Sequence, residues 1–583
     1  MKKTIALIAT AILALSSCGD FDDMSKNPYA LYDAPAESFV HPIVFNTQYN
    51  LISVFRSTTV LLMQYAVSTN SEVSSRVIDN YNIPEGTTDD IWSSLYICWG
   101  NAMAMYDKAE ETGDEAMKGV ALILKAFLIT QISDTYGEVP FKDAGLLPLD
   151  ENSTVYTTRY DTQKDIYKAV IIMLEEANEI LANYSGQSFN AVCDKVYAGD
   201  FDKWRRFGNT LYARVLMRIA MKVIEEDGGV LELGDDKWEI CTVKNKLGEL
   251  YNSFQSGSGD YPQMRSREDR FMVPFSETNE TEHTPFYTIT SGNWNVVAVS
   301  DVLCRRMLGT EQKVDSKGIT YYKYVPSANG GHIEDPRYDC WWRKANGMPV
   351  HLLNKDRVEF LDNAEHKSQA GNSSIGRMVR KKNPSSGVLE PSAITGKVYD
   401  LQNAEFYSRF NYSELPFIYA EAGARGWISS ISSFGAYLDL LKQGITESIL
   451  EWNPYVTASS DEVIAYVNHC VSVEKYSGSI LNSDNALEAI LTQKWLAEFF
   501  IGIESWCDYR RTGYPLLKTN GPAAGNDQIL PTRMRYPSDE QYRNAVYYPE
   551  VLDRWLGGFD NNTTDVWWAS TAESVKTRLK GRQ

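Results

Sequence analysis

The sequence predicts a mainly α-helical protein: a frame of paired helices interrupted by an irregular, loop-rich insertion with minor β structure. Three observations carry this. Stretches near 117–131, 211–223 and 487–503 repeat apolar residues at i, i+3, i+4 and i+7, the spacing of one helix face. Residues of about 228–404 lose that rhythm and are rich in Gly, Asn, Ser and aromatics. The overall composition, 43% hydrophobic and 23% charged, is that of an ordinary globular chain. The frame is therefore assigned to about 41–227 and 405–530, the irregular insertion to about 228–404, and the whole of 41–583 to one domain.

In chain order, Met1-Lys2-Lys3 is a basic start and Thr4 to Leu15 an apolar run too short to span a bilayer, the pattern of a signal peptide over 1–17. Leu15-Ser16-Ser17-Cys18 resembles the bacterial lipobox, in which the cysteine is lipidated and becomes the first mature residue. Each buried acyl CH₂ contributes about 0.8 kcal/mol, so several chains on Cys18 would hold a soluble body at a membrane. The acidic run Gly19-Asp20-Phe21-Asp22-Asp23 resembles the surface-export signal of Bacteroidota lipoproteins. Residues 18–40, with two Pro and many polar residues, read as the lipidated cysteine and a tether.

The first stripe, Met117, Val120, Ala121, Leu124, Leu128 and Gln131, predicts a helix that ends at Gly137 with Pro140 beyond. Leu211, Tyr212, Val215, Leu216, Ile219, Ala220 and Val223 form the second. Leu487, Ile490, Leu491, Trp495, Phe499 and Ile503 form the third. Weaker helical patterns cover 91–110, 160–183, 413–427, 434–450 and 460–474. Trp92 and Trp99, at i and i+7, belong to core. Inside the insertion, Tyr321–Val325 and Arg377–Arg380 read as strands, and Asp335 to Arg343 as a strand with one of Trp341 and Trp342 in the core and the other at an edge.

Charge and motif content narrow the function. A net charge of −19 with no basic block repels phosphate backbones, so nucleic acid is not an expected partner. Besides Cys18, seven scattered cysteines without a C-x-x-C pair read as small buried hydrophobes. No Walker A, G-x-G-x-x-G, G-x-S-x-G, H-E-x-x-H or EF-hand pattern occurs, so neither a cofactor nor a metal is expected. A glycosidase needs only two carboxylates across a cleft, and 76 acidic residues leave that alternative open.

Four blocks in order then carry a family resemblance. Lys125-Ala126-Phe127 leads to Asp134-Thr135-Tyr136-Gly137-Glu138-Val139-Pro140-Phe141, and Glu414 to Ala422 reads E-x-x-x-x-x-A-E-A. Gln493 to Phe500 is followed by Glu504-Ser505-Trp506-Cys507-Asp508-Tyr509-Arg510-Arg511-Thr512-Gly513-Tyr514-Pro515, then by Arg533 to Glu540. Together these resemble the SusD/RagB family of outer-membrane lipoproteins. The blocks read as structural rather than catalytic, with Asp508 able to pair with either following arginine.

The resemblance implies a SusD-like fold, with TPR-like helix pairs facing a SusC-like TonB-dependent transporter and the irregular region binding an oligosaccharide. It implies a non-catalytic, cell-surface lipoprotein that acts as the transporter's lid and delivers a nutrient glycan. Peptide capture and a pure gating role are the alternatives. Sugar sites set aromatic rings against sugar faces beside Asn, Asp and Arg. Two stretches match. Asn70 to Asp90 offers Arg76, Asp79, Asn80 and Tyr81; Thr284 to Asn295 offers Tyr287, Asn293 and Trp294.

Overall fold

A computed structural model describes residues 34–68, 78–145, 157–275, 282, 297–327, 332–342, 344, 346–363, 365–366, 381–382, 389–390, 410–453, 456, 458–472, 481–569 and 573–579. Cys18, Arg76, Tyr287, Asn293, Trp294 and the Arg377–Arg380 strand lie outside the described residues.

The first half of the frame holds α1 (Val40–Val54), α2 (Asp89–Thr112), α3 (Glu115–Tyr136), α4 (Gln163–Ala182), α5 (Phe201–Glu226) and α6 (Val243–Ser256). Sequential neighbours from α2 to α6 pack side by side. Local chemistry sets their ends. Gly113 turns the chain left-handed after α2, and Asp114 accepts from the Met117 amide to open α3. Thr162 and Asp200 cap α4 and α5 in the same way. Although α3 is apolar enough to match a membrane span by composition, its apolar window is 89% buried within the frame. It is the central core helix.

The expected stop at Gly137 is present, and its cause is tertiary as well as local. With φ at 92°, a Cβ there would lie 1.9 Å from Cη2 of Trp555. Only glycine leaves room for the indole.

The insertion differs in extent from the sequence reading. It begins after Ser256, because the Val230–Glu232/Ile240–Thr242 hairpin and α6 pack on α4 and α5 as part of the frame. The frame also begins earlier than the tether assignment allowed, since Ala36–Phe39 is already a helical turn with Ala36 buried against the core. Beyond α6, short pieces follow: β6 (Val297–Val299), α7 (Asp301–Met307), the β7/β8 hairpin (Thr310–Val314, Thr320–Tyr324) and α8 (Asn354–Asp362). In the same order the earlier strands are β1 (Ala66–Ser68), β2 and β3 (Val139–Pro140, Tyr160–Asp161), and β4 and β5, the hairpin just named. The Tyr321–Val325 expectation is thus met by β8. Trp341 and Trp342 are not in a strand: Tyr338–Trp341 is a helical turn and both indoles are buried, Trp341 stacked on Phe499 at 4.3 Å.

The second half holds α9 (Glu414–Ala424), α10 (Phe434–Leu450), α11 (Ser460–Ser472), α12 (Ala486–Ala497) and α13 (Glu504–Thr512). It joins the first where Phe271 and Phe410 bridge and Phe207 stacks on Phe271 at 4.0 Å. The third apolar stripe is not one helix. The chain breaks between α12 and α13, with Phe500 at φ 73° and Gly502 at φ 41°. A periodic stripe continues across the break because both sides face the same core, and sequence periodicity does not register the interruption.

The resemblance blocks meet in a buried ionic lattice. Arg218 bonds Asp134 (2.8 Å) and Glu504, and Arg214 bonds Glu504 (3.1 Å) and Glu414 (2.8 Å). Arg511 holds Glu421 through two bonds of 2.6 Å and Asp508 through one of 2.8 Å. Asp508 takes Lys494 as its second partner, at 2.6 Å, rather than Arg510. Arg510 instead donates to the Asp134 and Thr532 carbonyls and lies over Trp506 at 3.7 Å. Trp568 donates to Asp134 at 2.8 Å, tying the C-terminal segment to the lattice. These residues are structural. Each buried charge has an opposite partner or hydrogen bonds, as desolvation requires. Among the described residues no disulfide occurs; six of the seven cysteines are buried and Cys193 is half-buried.

Candidate functional site

The two sequence stretches singled out for ligand contact share a root. β1 and β6 pair antiparallel, with Ser68 opposite Val297. The first stretch follows Ser68 and the second precedes Val297, so both leave the sheet at the same end. Asp79 fixes that end, accepting from the Ser68 amide at 3.2 Å and from Arg357 at 2.9 Å.

The described members of the first stretch do not present their side chains to a ligand. Asp79 and Tyr81 are 1% and 2% exposed and Asn80 is buried beside them. This corrects the expectation that Asp79, Asn80 and Tyr81 touch sugar. The physical reason is that Tyr81, at φ 64°, folds its ring inward edge-on to His351 at 4.7 Å. Its hydroxyl accepts from Gln64 at 3.0 Å and lies 3.4 Å from the Lys518 carbonyl. A Tyr flanked by Asn and Asp has the composition of a sugar platform whether it faces out or in.

These buried residues build the floor beneath a cleft. The Gln64 side-chain amide donates to the Lys518 carbonyl at 2.6 Å and accepts from its amide at 3.1 Å. The His351 Nε2 donates to the same carbonyl at 2.7 Å, which makes this nitrogen the protonated one. Burial pushes the His351 imidazole down to about 4, so it stays neutral at ordinary pH. The segment Leu516–Asn520 is thereby pinned from behind.

Its front lines a cleft of about 530 Å³, within the range of small-ligand sites. The walls are α7 with Asp301 and Arg305, the hairpin with Thr320 and Tyr322, and α12 with Glu488 and Thr492. Ser300 caps α7, accepting from the Leu303 amide at 2.9 Å, and so connects β6 to the cleft wall. Arg305 lies over the Tyr322 ring at 4.4 Å and donates to its hydroxyl at 3.3 Å. Tyr322 is half-exposed and Arg305 exposed. An aromatic ring, a guanidinium, an amide (Asn520) and hydroxyls (Thr320, Thr492) around one opening can grip a ring bearing hydroxyl groups. No group of three or more His, Cys, Asp or Glu side chains that could hold a metal occurs among the described residues.

The sequence reading missed Asp301, Arg305, Tyr322 and Lys518. The signals available were the i, i+4 spacing of Asp301 and Arg305 and the alternation Thr320-Tyr322-Tyr324. Neither states that residues 301, 322, 488 and 518 converge.

Comparison with known proteins places this architecture. A family model described as SusD-like, "starch-binding associating with outer membrane", matches residues 28–229 and 333–537. The unmatched stretch between them contains α7 and the β7/β8 hairpin, so the cleft combines family and divergent segments. A SusD homolog from Bacteroides fragilis superposes with a TM-score of 0.64 at 19% identity, covering 92% of this chain and 100% of its own. A chitin-binding SusD homolog from Flavobacterium johnsoniae gives 0.62 at 19% identity, covering 92% and 99%. Another chitin-binding protein gives 0.60 at 21% identity, covering 92% and 100%. No curated protein matches the chain. With a family match over more than half its length and this fold throughout, the chain belongs to the SusD/RagB family.

Proposed function

We propose that the protein captures an oligosaccharide at the cell surface and passes it, without cleaving it, to a SusC-like TonB-dependent transporter over which it closes as a lid. Lipid on Cys18 anchors it in the outer membrane. The observation that carries this reading is the cleft beside Tyr322, set on a floor pinned by Gln64, Tyr81 and His351 and adjoining the sheet from which both aromatic stretches emerge. Family membership supports the setting, and chitin binding by two relatives of the same fold supports a glycan as the ligand class. In this reading Trp294, Tyr287, Asn293 and Arg76 extend the contact from the stretches rooted at β1 and β6, while Asp79, Asn80 and Tyr81 support the floor.

The test is calorimetric titration of the full chain, purified in detergent, against a panel of neutral and charged oligosaccharides and short peptides, with chromatographic analysis of each mixture. Binding of a saccharide with no product, weakened by Tyr322→Ala and by Trp294→Ala, is the expected result. Cleavage, or binding of peptides alone, overturns the reading. Co-purification with a transporter from the native membrane tests the lid assignment separately.

A further inference from the structure

The cleft has a marked charge asymmetry. Its two carboxylates are recessed: Asp301 is 4% and Glu488 8% exposed. Its cations stand further forward, with Arg305 exposed and Lys518 half-buried. Arg306, the third cation in the lining, is committed to the Val302 and Leu516 carbonyls, at 3.0 and 2.6 Å, and to the face of Trp495. Arg305 and Lys518 have no carboxylate within ion-pair distance among the described residues, unlike the buried Arg214, Arg218, Lys494 and Arg511, in a chain whose net charge is −19. Arg305 and Lys518 line the same cleft as Asp301. Burial pushes the Asp301 carboxyl up, and the charges of Arg305 and Lys518 both act to pull it back.

We infer that the saccharide taken by this cleft carries an anionic group, a carboxylate or a sulfate, which is held between Arg305 and Lys518 while its sugar ring lies beside Tyr322. This rests on the oligosaccharide reading above and narrows it. The planar guanidinium fork of Arg305 matches the paired oxygens of either anion, and its contact with Tyr322 fixes the fork's plane. Lys518 adds a point charge on a backbone immobilised by Gln64 and His351, so little ordering of the main chain is needed on binding. A neutral glucan would offer neither cation a counter-charge in exchange for the water it displaces.

The experiment compares, on the full chain in detergent, oligogalacturonate, a sulfated galactan oligomer and a malto-oligosaccharide of equal length, at low and high salt. The inference expects an anionic oligomer to bind at least about ten-fold more tightly than the neutral one, an advantage that shrinks as salt screens the charges. Arg305→Gln and Lys518→Gln should each weaken binding of the anionic oligomer far more than that of the neutral one, and so remove most of that advantage. Which anionic oligomer wins separates carboxylate from sulfate. Equal affinity for neutral and anionic oligomers, or an anionic preference that survives both substitutions, overturns the inference and leaves the capture reading standing. Failure of every saccharide to bind overturns both.

Discussion

Arg511→Met isolates one node of the buried ionic lattice, within the second half of the frame. Arg511 is fully buried, and its guanidinium satisfies Glu421 through two bonds of 2.6 Å and Asp508 through one of 2.8 Å. Although burial pushes the Glu421 carboxyl up, Arg511 and Arg425 hold it below its ordinary range. After the substitution Glu421 keeps only Arg425, at 2.8 Å, and Asp508 keeps only Lys494, at 2.6 Å. Breaking a buried pair from one side costs about 3–5 kcal/mol, because a desolvated charge is left behind. The pair Arg511→Met with Glu421→Met should cost markedly less than the single change, since the carboxylate that lost most is gone and Asp508 still has its lysine. Urea unfolding followed by tryptophan fluorescence and far-ultraviolet circular dichroism measures both. A single-variant loss below about 1 kcal/mol, or a double variant costing the sum of the two singles, would refute the argument that charge compensation and not packing dominates here.

Two further outcomes follow from the floor and the core. The His351 imidazole is held at about 4, below its ordinary 6.5. Between those values the unfolded chain takes up a proton that the folded one refuses, so stability falls as pH drops from 6.5 towards 4, by about 3 kcal/mol in all. His351→Gln, with a side-chain amide in place of the imidazole donor, should flatten that window in urea titrations at stepped pH; an unchanged slope would assign it to other groups. Gly137→Ala should cost more than about 2 kcal/mol in the same assay, since its methyl would fall 1.9 Å from Trp555 at a φ of 92°. A loss under about 0.5 kcal/mol would show that the C-terminal segment carrying Trp555 moves aside freely.

Much of the helical frame was determined by sequence alone, for a physical reason. A helix is a local structure, and a stripe such as Leu211 to Val223, a glycine such as Gly513 in the left-handed region and a cap such as Asp114 act within a turn or two of where they stand. The family blocks were legible because a charge in an apolar helix needs a partner, so Asp134, Glu421, Asp508 and Arg511 could be read as structural. Tertiary structure decided the rest. It broke the third stripe at Phe500–Gly502, turned Tyr338–Trp341 into a helical turn with both tryptophans inside, and swung Tyr81 from platform to floor. It also assembled the cleft from Asp301, Tyr322, Glu488 and Lys518, residues on four separate segments. Composition reports which side chains could grip a sugar; only long-range packing decides which of them face it, and in what company of charge.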